Sequence, residues 1–155
     1  MNKSTKINNS AKPLSEISTY QSGVVQSTAS RKLNRHVNDF LRPYELTSMQ
    51  WFIIGTIYDA GSTGITLTAL NQKLGTTLPF MTNSINLLES RGIVQKTSDS
   101  KDARTKIVAI SPNYTETCRE IEDYLRQKMR QLLYKDIEPE DLTSYIKVLY
   151  IMANL

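Results

Sequence analysis

Apolar residues recur at three- and four-residue spacing over most of the chain and give way to short β-type runs in one place, which predicts a mainly helical protein with a small β element. Between Leu14 and Leu41 the residues Leu14, Ile17, Val24, Val25, Leu33, Val37, Phe40 and Leu41 form an imperfect apolar face, weakened around Gly23 and Ser27. Such a helix needs a surface to lean on. Pro43 ends or kinks it, because proline has no amide donor and restricts the residue before it. Thr47 can cap the next helix, which runs to about Asp59 with apolar residues on more than one face. After the turn DAGSTG, Ile65 and Thr66 supply a short strand and Leu67 to Leu74 a two-turn helix. Gly75 permits a sharp change of direction, and Thr76 or Thr77 can cap a helix in which Pro79 falls where early amides have no helical partner. Leu78, Met81, Ile85 and Leu88 are expected to hold that helix down, with Thr82, Asn83, Asn86, Pro79 and Phe80 on or near its other side. Ile93 to Thr97 and Thr105 to Ser111 read as a hairpin around the long polar connection SDSKDAR. Two further helices are expected, from about Asn113 to Tyr134 and from near Pro139 onward.

The pattern amounts to a helix-turn-helix followed by a two-stranded wing, with apolar helices at both ends of the chain. To bury their stripes, those ends must meet each other or a second copy of the chain. The expected segments are a polar tail over residues 1–12, an N-terminal helical dimerisation segment over 13–45, a DNA-binding domain over 46–111 and a C-terminal dimerisation segment over 112–155. A chain of 155 residues holds one sizeable core. Its formal net charge of +4 favours a polyanionic partner without establishing one. The excess lies early: residues 1–46 carry seven basic and three acidic side chains, whereas residues 113–155 carry six and eight.

Chemistry-bearing residues are few. His36 is the single histidine, so a histidine-based triad or a multi-histidine metal site has nothing to work with. Cys118, the single cysteine, cannot form an internal disulfide and sits at an apolar helical position, either as a buried thiol or as a redox sensor. The GSTG run lacks the lysine and the strand-to-helix setting of a phosphate loop. Neither an enzyme nor a cofactor is expected. No apolar segment has the length of a membrane span, and a soluble, cytoplasmic protein is expected.

A helix that enters a major groove must present side chains that donate and accept at base edges. Asn83 and Asn86 can pair bidentately with adenine, and Thr82 can bond to a base or set its methyl against thymine. With no arginine or lysine on this helix before Arg91, readout leaning toward A·T is expected. The same residues could also be the solvated face of an ordinary helix. The hairpin carries Lys96, Lys101, Arg104 and Lys106 around Asp99 and Asp102, a set suited to phosphate contacts and, for Arg104, to a narrow minor groove. Asp102 and Arg104 could instead pair and brace the loop. Thr77, Pro79, Thr82, Asn83, Asn86, Lys96, Lys101, Asp102, Arg104 and Lys106 form the candidate DNA-facing set. Tyr20, His36, Trp51 and Phe52 are candidates to line an effector pocket where the helices join, with interface packing as the alternative; Trp51 reads most simply as core.

Thr82, then LLESRGIV, then DAR ahead of a strand, resembles the central pattern of the MarR family of winged helix-turn-helix transcriptional regulators, over roughly Leu46 to Ser111. The resemblance implies a homodimer with interlocked terminal helices on a palindromic operator in double-stranded DNA. It often implies release by a phenolic or other lipophilic ligand bound between the dimerisation and DNA-binding regions. It places Thr82, Asn83 and Asn86 on the recognition helix, with Asp102 and Arg104 on the wing. The chain departs from the family where Asn83 stands for a frequent arginine, Ala103 for an arginine between the wing Asp and Arg, and Tyr114 for a common glycine. Cys118 lies in a different helix from the family's peroxide-sensing cysteine. A homodimeric repressor is expected, with a winged-helix module that binds another protein and has no operator of its own as the alternative.

Overall fold

The computed structural model describes residues 14–98 and 105–154, so the expected tail over 1–12 and the wing residues Lys101, Asp102 and Arg104 lie outside the described residues. Two compact units are present, Met1–His36 and Val37–Leu155. In the first, a single 3-10 turn (Leu14–Glu16) precedes helix α1 (Thr19–Leu41), whose residues from Val37 onward belong to the second unit. The helix starts later than its apolar pattern suggests. Ser18 and Gln21 exchange two bonds of 3.3 Å, the side chain of each accepting from the other's backbone amide, which fixes the start at the polar residue. Gly23 lies within the helix and does not break it. Described residues of this unit are nowhere fully covered, and Val24 and Val25 are 62% and 66% exposed.

The second unit holds the core. A 3-10 turn (Arg42–Tyr44) ends in Glu45, which adopts the left-handed conformation, and α2 (Ser48–Asp59) follows. Thr47 caps α2: its hydroxyl accepts from the Gln50 amide at 3.2 Å while the Gln50 side chain accepts from the Thr47 amide at 2.9 Å. Ile53, Ile54 and Ile57 point into the core. Next come β1 (Ile65–Thr66), α3 (Leu67–Leu74), α4 (Leu78–Ser90), β2 (Val94–Ser98), β3 (Lys106–Ile110), α5 (Thr115–Leu132) and α6 (Pro139–Ala153). The order matches the one read from the sequence, with strand ends shifted by about a residue and a 3-10 turn at Pro112–Tyr114 where a helix start was expected.

Strand β3 is central in an antiparallel sheet of order β1-β3-β2. Ile65 faces Val108 on one side, and on the other Val94 faces Ile110 and Ser98 faces Lys106. Gly64, at φ 69°, is where the chain passes so close to β3 that a Cβ would lie 2.6 Å from the Val108 carbonyl oxygen. Leu70 of α3, Met81, Ile85 and Leu88 of α4, Val94, Val108 and Ile121 of α5 close the core beside α2. Helix α6 buries none of its residues fully, and Tyr150 and Ile151 stand 70% and 58% exposed. Among the described residues, no helix is long and apolar enough to cross a membrane.

Candidate nucleic-acid interface

Helices α3 and α4 meet at a turn that the sequence dictates residue by residue. Gly75 takes the left-handed conformation (φ 58°, ψ 38°) and returns its amide to carbonyls at the end of α3. The Asn71 amide bonds to the Thr76 hydroxyl at 2.9 Å, and with its nitrogen toward the turn it also donates to the Thr76 and Thr77 carbonyls, at 3.0 and 3.2 Å. Sequence reasoning missed Asn71, although an asparagine a few residues before a helix-ending glycine is a recognisable turn-forming signal. Thr77 caps α4 by accepting from the Phe80 amide at 3.4 Å, and Pro79 occupies the first turn, where no helical amide is lost.

Met81, Ile85 and Leu88 are wholly buried, so the opposite side of α4 is presented outward with Asn83 and Asn86 exposed and Thr82 half-buried. Leu78 does not join the buried row and is 50% exposed. It shares the angular position of Ile85, two turns on, but periodicity fixes only the side a residue faces, not whether a packing partner reaches that far along the axis. Phe80 and Leu87 are also exposed, at 44% and 49%, which gives this surface an apolar as well as an amide character.

The wing base is not a row of free cations. The Lys96 ammonium lies 2.7 Å from a Glu89 carboxylate oxygen and donates to the Asn86 side-chain oxygen, also at 2.7 Å. The other Glu89 oxygen accepts from the Lys96 backbone amide at 3.3 Å. Lys96, expected to reach a phosphate, is thus engaged in joining β2 to α4, because the helix carboxylate sits opposite the strand where it emerges. Lys106 donates to the Ser98 hydroxyl at 2.7 Å across the β2–β3 pair and keeps its exposure. Between α4 and the sheet, Thr82, Asn86, Glu89, Lys96 and Lys106 line a cleft of about 400 Å³. Arg91, at the C-terminal end of α4, donates to the Glu45 and Tyr44 carbonyls at 2.8 and 3.1 Å.

Of the candidate pocket residues, Trp51 and Phe52 share one lining within the second unit. Trp51 and Phe52 line an apolar cavity of about 400 Å³ with Leu125, Met129 and Leu142, beside Arg126, Arg130 and Tyr134. Trp51 is half-buried rather than a core residue, and its other side lines a second, more polar cavity of about 550 Å³ with Tyr58, Cys118 and Arg119. Tyr20 and His36 belong to the first unit and lie sixteen residues apart on α1, about 24 Å at 1.5 Å per residue. Both are exposed. Arg126 pairs with Glu122 at 2.9 Å, and Arg119 bonds to the Tyr58 hydroxyl and to Glu116. Burial raises the Cys118 thiol to about 11, and the Tyr114 and Tyr134 phenols are raised above their ordinary range chiefly by burial. Cys118 is therefore a protonated, buried thiol at neutral pH.

A family model described as "MarR family" matches residues 44–105, the span from the turn before α2 to the residue before β3. The multiple antibiotic resistance protein MarR of Salmonella typhimurium is 24% identical over 115 residues, 74% of this chain and 78% of that protein. Among solved structures, a mutant MarR from E. coli complexed with operator DNA superposes with a TM-score of 0.74 at 22% identity, covering 84% of this chain and 91% of that one. CouR from Rhodococcus jostii, bound to p-coumaroyl-CoA, gives 0.76 at 16% identity, covering 92% and 96%. The order of helices and strands and the wing beside α4 agree with these likenesses: the chain has the winged helix-turn-helix fold, and its residues 44–105 are similar to the MarR family of transcriptional regulators.

Proposed function

We propose that the protein is a homodimeric, sequence-specific DNA-binding repressor that sets one α4 in each of two successive major grooves of an approximately inverted repeat, with the wings at the flanking minor grooves. The carrying observation is the outward face of α4, where Thr82, Asn83 and Asn86 stand on a helix anchored by three wholly buried residues beside a two-stranded wing. Rigid backing is what a base-reading helix needs, because hydrogen bonds to base edges tolerate little displacement. The similar MarR structure from E. coli holds operator DNA, which supports the same docking here. The apolar residues left exposed on α6 and in the first unit supply surface for a second copy.

Control is assigned to a lipophilic or phenolic ligand in the cavity beside Trp51 and Phe52, whose walls are mostly apolar and whose lining includes Arg126, Arg130 and Tyr134. CouR, similar in fold, is bound to p-coumaroyl-CoA, which supports a small-molecule effector here. A ligand acts only by preferring one arrangement of the dimer, and a preference of about 2.7 kcal/mol changes operator affinity a hundredfold. The exposed Leu78, Phe80 and Leu87 favour a second reading, a module that docks on another protein.

Selection of bound sequences from random duplex DNA, repeated across salt concentrations, tests the proposal. An inverted repeat is expected, with Asn83→Ala losing definition at one position per half-site by about tenfold. Featureless binding, or none, would sink it and favour the protein-docking reading.

A further inference from the structure

Resting on the DNA-binding reading, the geometry points to Lys96 and Glu89 as residues that set which base Asn86 reads. A free asparagine offers an acceptor and a donor side by side, and that pair matches adenine in the major groove. Asn86 is not free. An ammonium group only donates, so the side-chain atom 2.7 Å from the Lys96 nitrogen is the Asn86 oxygen, and the amide NH₂ is the group directed away from the clamp. Glu89 makes this arrangement lasting rather than incidental: one of its oxygens holds the same ammonium at 2.7 Å and the other holds the backbone amide of Lys96 at 3.3 Å. Lysine and glutamate side chains here are 27% and 38% exposed, so neither swings freely in solvent.

Two consequences follow for the exposed end of Asn86. One lone pair of its oxygen is taken and the atom lies against a positive charge, which repels the partly positive hydrogens of the adenine N6 amino group. Its two N–H bonds remain and suit adjacent acceptors, the O6 and N7 pair that guanine presents in the major groove. Clamped Asn86 therefore reads guanine, taking the part usually played by a basic side chain on a helix that has none before Arg91. Lys96 and Glu89 are positioning residues in this scheme, and Lys96 spends its charge on Glu89 instead of on a phosphate.

Selected binding sites of the wild type, Asn86→Ala, Lys96→Met and Glu89→Gln, compared side by side, test the inference. Asn86→Ala identifies the position that Asn86 reads. Guanine is expected there in the wild type, changing to adenine in Lys96→Met with a preference of about tenfold. Methionine keeps the apolar stem, and a thermal melt confirms that the variant folds. In a salt titration, Lys96→Met should leave the log–log slope unchanged, whereas a phosphate contact would remove about one unit. Glu89→Gln frees the ammonium and should steepen the slope by about one. Adenine at this position in the wild type, an unchanged base in Lys96→Met, or loss of a unit of slope in that variant would each overturn the inference and leave the DNA-binding reading standing. No sequence-selective binding by the wild type would overturn both.

Discussion

Ile85 is wholly buried on the inner side of α4, one residue from the exposed asparagine at 86. Truncation to alanine removes three buried carbon atoms and leaves a cavity, which typically costs about 2–5 kcal/mol. Urea unfolding of Ile85→Ala should show a loss in that range with no change of fold, and a loss below about 1 kcal/mol would mean that α4 is not anchored as described. The other residue-scale expectation concerns pH. Burial lifts the folded-state pKa of Cys118 from 9.0 to about 11, so the unfolded chain loses its thiol proton first as pH rises. The contribution is fully present below pH 9 and is lost between about 9 and 11. Urea midpoints across that window should fall more steeply for the wild type than for Cys118→Ala, and parallel curves would contradict the burial. The raised Tyr114 and Tyr134 phenols act in the same direction from about pH 10 upward, Tyr114 less so in Cys118→Ala because Cys118 contributes to its shift after burial.

At the scale of elements, much was legible because local chemistry decided it. Thr47, Thr77 and Gly75 mark helix ends by capping or by left-handed backbone, and each does so within three or four residues of chain. Removal of the Thr47 hydroxyl in Thr47→Ala should cost about 1 kcal/mol, measured by chemical unfolding, while Gln50→Ala removes only the reciprocal bond to the Thr47 amide, keeps the hydroxyl cap on the first turn and should cost less. What stayed illegible was set by partners distant in the chain or by the end of a packing surface. Leu78 has the right phase and still lies exposed, since phase says nothing of how far the core extends. Lys96 looked like one more wing cation, yet its partners Glu89 and Asn86 are on a helix that only the turn at Arg91 and Gly92 brings alongside β2. Trp51 has a core residue's composition but sits between two cavities.

Among the described residues, exposed large apolar side chains are most numerous on α6, from Tyr145 to Met152. A dimer that buries α6 should be separable by charge at that helix. Ile151→Glu is expected to shift the protein from dimer to monomer by sedimentation at micromolar concentration, and to weaken operator binding by well over tenfold, because each half-site is then held alone. A dimer unaffected by the change would move the interface elsewhere. Arg91 carries a different lesson. It joins the end of α4 to the corner before α2 through two carbonyls, at Tyr44 and Glu45. Backbone carbonyls are common to all twenty amino acids, so no replacement of either side chain deletes the acceptors, and sequence drift at the corner leaves the join in place. On the other side of the join one residue supplies both donors. The coupling of α4 to the corner is thus tolerant of mutation at two positions and dependent on a single codon at the third.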